Sequence, residues 1–468
     1  MKIGTLNSIL SIAGWSDDRL DEVEFVGDLD PLLPTSFRIT ETACATLAAT
    51  GLAVNDLWAL RSGERQRFTI DTAHATASLR STKYLRLDGA KVNTERNEVM
   101  GMYPTADGRW SYLHCNFPNH RAAALKVLGV PEERAAVTEA VAKWNGLELE
   151  EAIIAAGGAG GMVRSAAEWA EHPQGRAIAA LPLMEILKIG DSAPEALPEG
   201  DRPLSNVRVL DLTRVLAGPT CARTLAEQGA DVMKVSAPHI PFITYQEYDT
   251  GHGKLSTHLD LRDEAARETL RSLASECDVF SQGYRPETLA NRGFSPQELA
   301  QLRPGIVCVS LCAFGHEGPW AHRRGFDTAV QAVSGIVKRQ GELFPRSTPG
   351  PQFYPVSAID YLTGYLMAFG AMVALRKRAT EGGSYLVRLS LAQIGHWLQS
   401  YGEIPEADLT DVPTDFEQAA IDKWTISSDT PMGRLTHLAP VVQYPETPAH
   451  WARPSVPLGH SAPEWPAH

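Results

Sequence analysis

The second half of the sequence predicts an α/β fold built on an open, mostly parallel sheet flanked by helices. Two observations carry this: short apolar runs alternate with helix-like stretches, and the runs lack the polar alternation of half-exposed strands. VRVLDLT (207–213) reads as the first strand, followed by a loop with Gly218 and Pro219 and a helix-like run from Cys221 to Glu227. DVMKVS (231–236) reads as the second strand. A helical stretch at 263–275, a strand CDVFSQ (277–282), a helix around 295–301 and the apolar run IVCVSLCAF (306–314) continue the alternation. YLTGYLMAFGAMVALRKR (361–378) reads as a helix with Gly364 and Gly370 on one side for close packing, ended by Gly382 and Gly383.

At 468 residues the chain has room for two or three domains. Proline, glycine and acid gather near 190–203, and the domain break is placed there, dividing 1–195 from 196–468. Hydrophobic residues at 44% and charged residues at 21% fit a globular enzyme. The net charge of −13 disfavours a broad nucleic-acid surface, while leaving room for a local basic pocket. Six cysteines (Cys44, Cys115, Cys221, Cys277, Cys308, Cys312) lie in apolar stretches without a CxxC pair, which argues for buried thiols in a reducing compartment and against a metal site. The first residues meet acid by Asp17, with too short an apolar run for a secretory signal, and no stretch is read as approaching the length of a membrane span, so the expectation is a soluble, cytoplasmic protein.

Two distant segments echo each other. LWALRSGERQRFTIDTAHATASL (57–79) runs parallel to MVALRKRATEGGSYLVRLSLAQIGHWL (372–398): each gives a helix end, a turn with glycine, a strand and a second helix. Chance similarity explains such a pair, and so does descent from a duplicated ancestor.

PLSNVRVLDLTRVLAGPTCARTLAEQGADVMKVS (203–236) resembles the opening of the class III coenzyme A transferase family, the CaiB/BaiF type. The resemblance continues in the family's order through 254–261, 277–320, 325–336 and 358–393, and 430–459 is similar to its closing segment. It implies a Rossmann-like domain with a smaller α+β domain. The small domain normally follows the long helix, where only about thirty-five residues intervene here. Instead, MYPTADGRWSYLHC (102–115), RAAALKVLGVP (121–131) and EWAEHPQGR (168–176) are similar to it. The resemblance thus implies a rearranged order, with an incomplete family-like copy in 1–195 and the catalytic domain in 196–468.

Read alone, Asp360 is a helix cap. The resemblance makes it the nucleophile, and a helix start favours a carboxylate as the anion. The family's reaction moves coenzyme A from an acyl-CoA to a carboxylic acid through an aspartyl-acyl anhydride and an aspartyl-CoA thioester. Coenzyme contacts carry over to Val215, Leu216 and Ala217, to Lys254, to Gly283, Tyr284 and Arg285, and to Asn291 or Arg292. Two departures weaken those contacts: Lys234-Val235-Ser236 stands where the family has Lys-Val-Glu, and GHGKLS (251–256) is a reduced loop. GGAGG (157–161) resembles in composition a mobile glycine loop found in some members, although a glycine run at a helix end is more often a flexible connection. Partners implied are an acyl-CoA and a carboxylic acid, with no metal, membrane or nucleic acid; family members form interlocked dimers, and the rearranged order leaves open whether this chain forms such a homodimer or folds more of that assembly within itself.

Two other functions compete. An α-methylacyl-CoA racemase shares the fold but needs a second acid–base group beside the aspartate, usually from Gly-His-Asp, and here that triplet reads Gly325-Phe326-Asp327. A non-catalytic acyl-CoA-binding relative fits the rearranged order but leaves the retained aspartate without a purpose.

Overall fold

The computed structural model describes residues 4–94, 96–345 and 349–467. Seven strands make the main sheet, in the order Lys254–His258, Asp231–Ser236, Arg208–Leu212, Val279–Gln282, Val307–Cys312, Ser384–Ser390 and Glu185–Gly190. The first six are parallel and the last is antiparallel to its neighbour. Counted along the chain, the parallel strands follow the doubly wound order, which reverses between Arg208–Leu212 and Val279–Gln282.

Strand periodicity divides the interior into two layers. Val209, Val232, Val279 and Val307 face one core, shared with the helices Ala217–Ala226 and Ala358–Glu381. Their neighbours Leu210, Met233, Phe280 and Cys308 face the other, against Leu270 and Leu273 of Glu264–Ser275 and Leu299 of Pro296–Leu302. Burial on both faces explains the unbroken apolar runs.

Ala358–Glu381 and Ile39–Ser62, of 24 residues each, correct the expectation that no stretch reaches membrane-spanning length. Both are apolar enough to span a bilayer, yet 100% and 83% of their most apolar windows are buried in this fold, where they serve as core helices. The two glycines of Ala358–Glu381 also face different partners, because six residues turn a helix well past one full revolution. A side chain at Gly364 would meet the Ala217 carbonyl and Thr220, whereas one at Gly370 would meet Val387 and Met184.

Segments from both sides of residue 195 share sheets. Glu185–Gly190 edges the main sheet, Val442–Gln443 pairs with Phe68–Asp71, and Gly433–Leu438 pairs with Arg86–Leu87. Gly101–Pro104, Trp110–Leu113 and Gly160–Met162 form a small antiparallel sheet, accompanied by helices Pro118–Leu128, Arg134–Val141 and Gly146–Ala155. The GGAGG run therefore enters a strand. At Gly160 any side chain would strike the Tyr112 carbonyl, so the glycine is required by close backbone approach.

The sequence echo is structural. Ile39–Ser62 ends at Gly63 and leads to the strand Phe68–Asp71 and helix Thr72–Ser78; Ala358–Glu381 ends at Gly382 and leads to Ser384–Ser390 and helix Leu391–Ser400. In both, the strand's last side chain caps the next helix, Asp71 accepting from the His74 amide and Ser390 from the Gln393 amide. When Leu57 is set on Met372, Thr50 falls on Tyr365 and Ala45 on Asp360. Thr50 Oγ1 donates to the Tyr365 carbonyl at 3.3 Å, so equivalent residues meet, as a two-fold relation requires.

Replacing Gly364 by alanine overpacks the contact with Ala217–Ala226. The expected cost is about 1–3 kcal/mol, seen as a lower denaturant midpoint with an unchanged slope.

Candidate active site

A cavity of about 660 Å³ opens over the strand ends where the sheet order reverses. Val215 and Ala217 follow the strand Arg208–Leu212, Gly283, Tyr284 and Arg285 follow Val279–Gln282, and Asp360 also lines it. Arg214, Arg323 and Arg324 add positive charge, and Phe117 to His120 reach in from the small sheet's first helix. A recess of about 100 Å³ adjoins it, sharing His239, Ile240, Tyr284 and Thr288 and bounded by Ser236, Leu259 and Arg292.

The loop at the centre is held from below. Asp211 accepts from the Thr213 amide at 3.0 Å and from Lys254 Nζ at 2.8 Å, and Lys254 donates again to the Pro219 carbonyl at 2.9 Å. Lys254 is thus buried and committed to this loop and does not line the cavity, unlike the coenzyme contact expected of it. A side chain at Gly218 would collide with Thr213, and Val215 is fixed at φ 72°, an unusual conformation for a β-branched residue. Of the pair in uncertain register, Arg292 lines the recess, its guanidinium braced on the Thr288 carbonyl at 2.7 Å, while Asn291 does not. Lys234 forms a buried ion pair with Glu247 at 2.9 Å, and Ser236 borders the recess.

Asp360 sits in the first turn of Ala358–Glu381 and does not cap it. Its amide donates to Asp327 Oδ2 at 3.0 Å, and Asp327, at the start of helix Asp327–Val333, also accepts from Gln331. A second carboxylate therefore serves the helix end, and no described residue donates to the Asp360 carboxyl. Burial and the neighbouring Asp327 push the Asp360 pKa well above the ordinary carboxylate value. Burial raises Asp327 as well, to about 6, against the opposing hydrogen bonds from Gln331 and the amides. Desolvation and like charge here outweigh the helix-end effect, which reverses the expectation of a readily ionised Asp360.

Phe326, in the place of the racemase histidine, lies in an aromatic stack. His114 is parallel to it at 3.8 Å, and Phe117 and His120 pack at 5.6 Å. Tyr112 donates to Thr328 Oγ1 at 2.7 Å, so its oxygen accepts the hydrogen bond from His114 Nδ1–H at 3.0 Å. This leaves His114 Nε2 as a bare, buried acceptor without a partner among the described residues. Burial holds His114 well below the usual histidine range and lowers His120 to about 4, so both rings are neutral.

A second cavity, of about 390 Å³, meets the first at Phe117, Val215, Phe326 and Asp360. Its walls include Leu216, His114, Asn116, Gln246 and Asp327, with Lys83, Lys91 and Arg96 also among the lining residues. The structure thus gathers Val215, Ala217, Gly283, Tyr284 and Arg285 with Asp360, and adds Asp327, His114, Arg214 and Arg96, which sequence reasoning had not assigned. Asp327 carried a signal, because an acid opening a helix beside Phe326 was visible in the triplet. Within residues 83–120, the 102–115 stretch carried only a resemblance to the small domain and no single residue was marked, since only tertiary folding brings them to the strand ends.

Residues 204–418 match the model of CoA-transferase family III. The acetyl-coenzyme A transferase nodX of Hypoxylon pulicicidum is 29% identical over 440 residues, 83% of this chain and 74% of that protein. An acyl-CoA transferase of Gibberella moniliformis is 29% identical over 422 residues, 81% of this chain and 74% of that protein. Human succinyl-CoA:glutarate CoA-transferase is 32% identical over 208 residues, covering 41% of this chain and 46% of its own length. A CaiB/BaiF family protein of Brucella suis aligns with a TM-score of 0.39 at 29% identity, over 43% of this chain and 56% of that one. The chain spans about three quarters of the fungal relatives and about half of the human one. Residues 204–418 of the chain are thus similar to CoA-transferase family III.

Proposed function

We propose that the chain transfers coenzyme A between an acyl-CoA and a carboxylic acid, with Asp360 as the nucleophile. The observation that carries this reading is the position of Asp360 at the junction of two cavities, with its carboxyl unclaimed by its own helix. The larger cavity lies where doubly wound sheets bind nucleotide-bearing ligands, and its arginines suit phosphates. Val215, Ala217, Gly283, Tyr284 and Arg285 would border the coenzyme there, with Arg292 at the recess.

An Asp360 oxygen attacks the thioester carbonyl, the C–S bond breaks, and coenzyme A leaves as the thiolate. The thiolate then attacks the aspartyl carbon of the mixed anhydride and expels the donor acid as its carboxylate. An acceptor carboxylate attacks the aspartyl-CoA thioester, again freeing the thiolate. Attack on the acceptor carbonyl of the new anhydride yields the product acyl-CoA and restores the Asp360 carboxylate. Each step preserves an activated acyl group, so the sequence needs no external energy source.

The two buried carboxyls titrate as a pair, and both are pushed toward protonation. Asp360 is the more strongly raised, so it attacks only from its ionised fraction. Asp327 acts as a positioning residue: it fixes the Asp360 backbone and sets the pH at which the nucleophile ionises.

A racemase reading gains one observation, the bare His114 Nε2 beside Phe326 in a cavity shared with Asp360. Incubation of a chiral 2-methylacyl-CoA in heavy water separates the two reactions: a transferase leaves the α-carbon unlabelled without an acceptor acid, and deuterium uptake there would establish the racemase.

Asp360→Asn is expected to lower transfer across a panel of acyl-CoA donors and acids by about a thousandfold or more. Hydroxylamine added after an acyl-CoA should convert wild-type Asp360 to its hydroxamate, read by peptide mass; wild-type rates in Asp360→Asn would remove it from the mechanism. For the pair, the rate should climb with pH as Asp360 loses its proton. Asp327→Asn removes the like charge, lowers the Asp360 pKa and moves that rising limb to more acidic pH; an unmoved limb would refute the coupling.

A further inference from the structure

Phe117, Val215, Phe326 and Asp360 line both cavities, so the carboxyl at the junction is bounded by a β-branched side chain and two aromatic rings. The rings stack on each other at 5.6 Å, and each belongs to the residue just before a helix. The Phe117 carbonyl accepts from the His120 and Arg121 amides at 3.1 and 3.0 Å, and the Phe326 carbonyl from the Ala329 and Val330 amides at 2.9 and 3.0 Å. Helix ends therefore carry both rings, which holds them more firmly than a free loop would. Phe117 is only 3% exposed, and the Arg214 guanidinium lies over its ring at 5.0 Å.

Two imidazoles complete this wall. His114 lies parallel to Phe326, and His120 packs edge-on against Phe117 at 5.8 Å. His114 Nε2 and His120 Nδ1 are both buried, and neither has a partner among the described residues. A space opened beside them by removing the Phe117 ring would have polar walls, the condition under which a cavity holds water. Asp360 would border that same space. Water there has a chemical consequence, because an acyl anhydride and a thioester on Asp360 react with water as well as with thiolate or carboxylate.

We infer that the wall of Phe117 and Phe326 decides between transfer and hydrolysis, with Phe117 the residue that keeps water from the acylated Asp360. This rests on the reading of Asp360 as the site of transfer. In the suppressed reaction, the oxygen of water attacks the acyl carbon of the anhydride, the bond from that carbon to the Asp360 oxygen breaks, and Asp360 leaves as the carboxylate. One proton of the water passes to the coenzyme A thiolate and the other to solvent, so the net change is acyl-CoA and water to free acid and free thiol. Attack on the aspartyl-CoA thioester expels the same thiolate and leaves the water oxygen in Asp360.

The test uses the full chain with straight-chain acyl-CoAs from acetyl to hexanoyl, each given its own isotopically labelled acid, so that donor and acceptor fit equally. Entry of label into acyl-CoA reads transfer, and release of free thiol in the absence of acid reads hydrolysis. Their ratio does not depend on how much of a sample is folded. Phe117→Ala is expected to raise hydrolysis relative to transfer by about tenfold or more. Phe117→Leu, which refills much of the space with apolar atoms, should return the ratio toward wild type. Phe326→Ala opens the wall from its other side and should act in the same direction, which keeps the test alive if Phe117→Ala does not fold. Combining Phe117→Ala with Asp360→Asn should abolish the added hydrolysis. An unmoved ratio in the alanine variants overturns the inference while leaving the transfer reaction standing, as does a wild type that hydrolyses as fast as it transfers. Added hydrolysis that survives Asp360→Asn overturns it too, because water would then attack the bound acyl-CoA directly. Absence of exchange by the wild type across the series, or undiminished exchange by Asp360→Asn alone, would instead overturn the reading on which the inference rests.

Discussion

A 24-residue apolar helix with most of its length out of water has to be packed from every direction, and Ala358–Glu381 takes its neighbours from across the chain. The main sheet lies against it through Val387, Ala217–Ala226 approaches at Gly364, and Ile39–Ser62 crosses it at Tyr365. Near its far end Arg376 pairs with Asp56 at 3.1 Å, and the fully buried Arg378 with Asp278 at 2.6 Å. The helix is therefore fixed in depth and in rotation. Its first turn, with Asp360, cannot move relative to the strand ends without disturbing packing along the whole element.

Two buried electrostatic arrangements at the site have opposite characters. Asp211 and Lys254 are opposite charges with their hydrogen bonds met, and they hold the Thr213 to Pro219 loop in place. Asp327 and Asp360 are like charges in the same low-dielectric interior, and both are pushed toward protonation. Val215 of that loop and both carboxyls line the same cavity. Strain at Val215 and unfavourable charge at Asp360 thus occupy adjoining parts of one wall.

The parallel sheet was legible because each strand is buried on both faces and so writes an apolar run into the sequence; Asp231–Ser236 was read with its exact bounds. Glu185–Gly190 escaped because it is a half-exposed edge strand next to a proline-rich stretch, where composition suggested a boundary. Asp360 was legible as a helix start, but only its neighbours in the family order marked it as a nucleophile. The effect of Asp327 on it was not legible, since thirty-odd residues separate two groups that share an amide hydrogen bond. Lys254 shows the converse: a resemblance transfers a residue to the right region, but the direction its side chain takes depends on Asp211, which no linear motif encodes.

The crossing of Ile39–Ser62 and Ala358–Glu381 joins equivalent positions, Thr50 and Tyr365, inside a single polypeptide. A contact of this kind between separate subunits weakens on dilution, because association has a concentration term. Here the connecting chain supplies a fixed effective concentration, and the contact persists at any dilution. Covalent linkage also frees the two partners from having to be identical. Ala45 stands in one helix where Asp360 stands in the other, so a change at either position alters one side of the crossing without being copied to its mate.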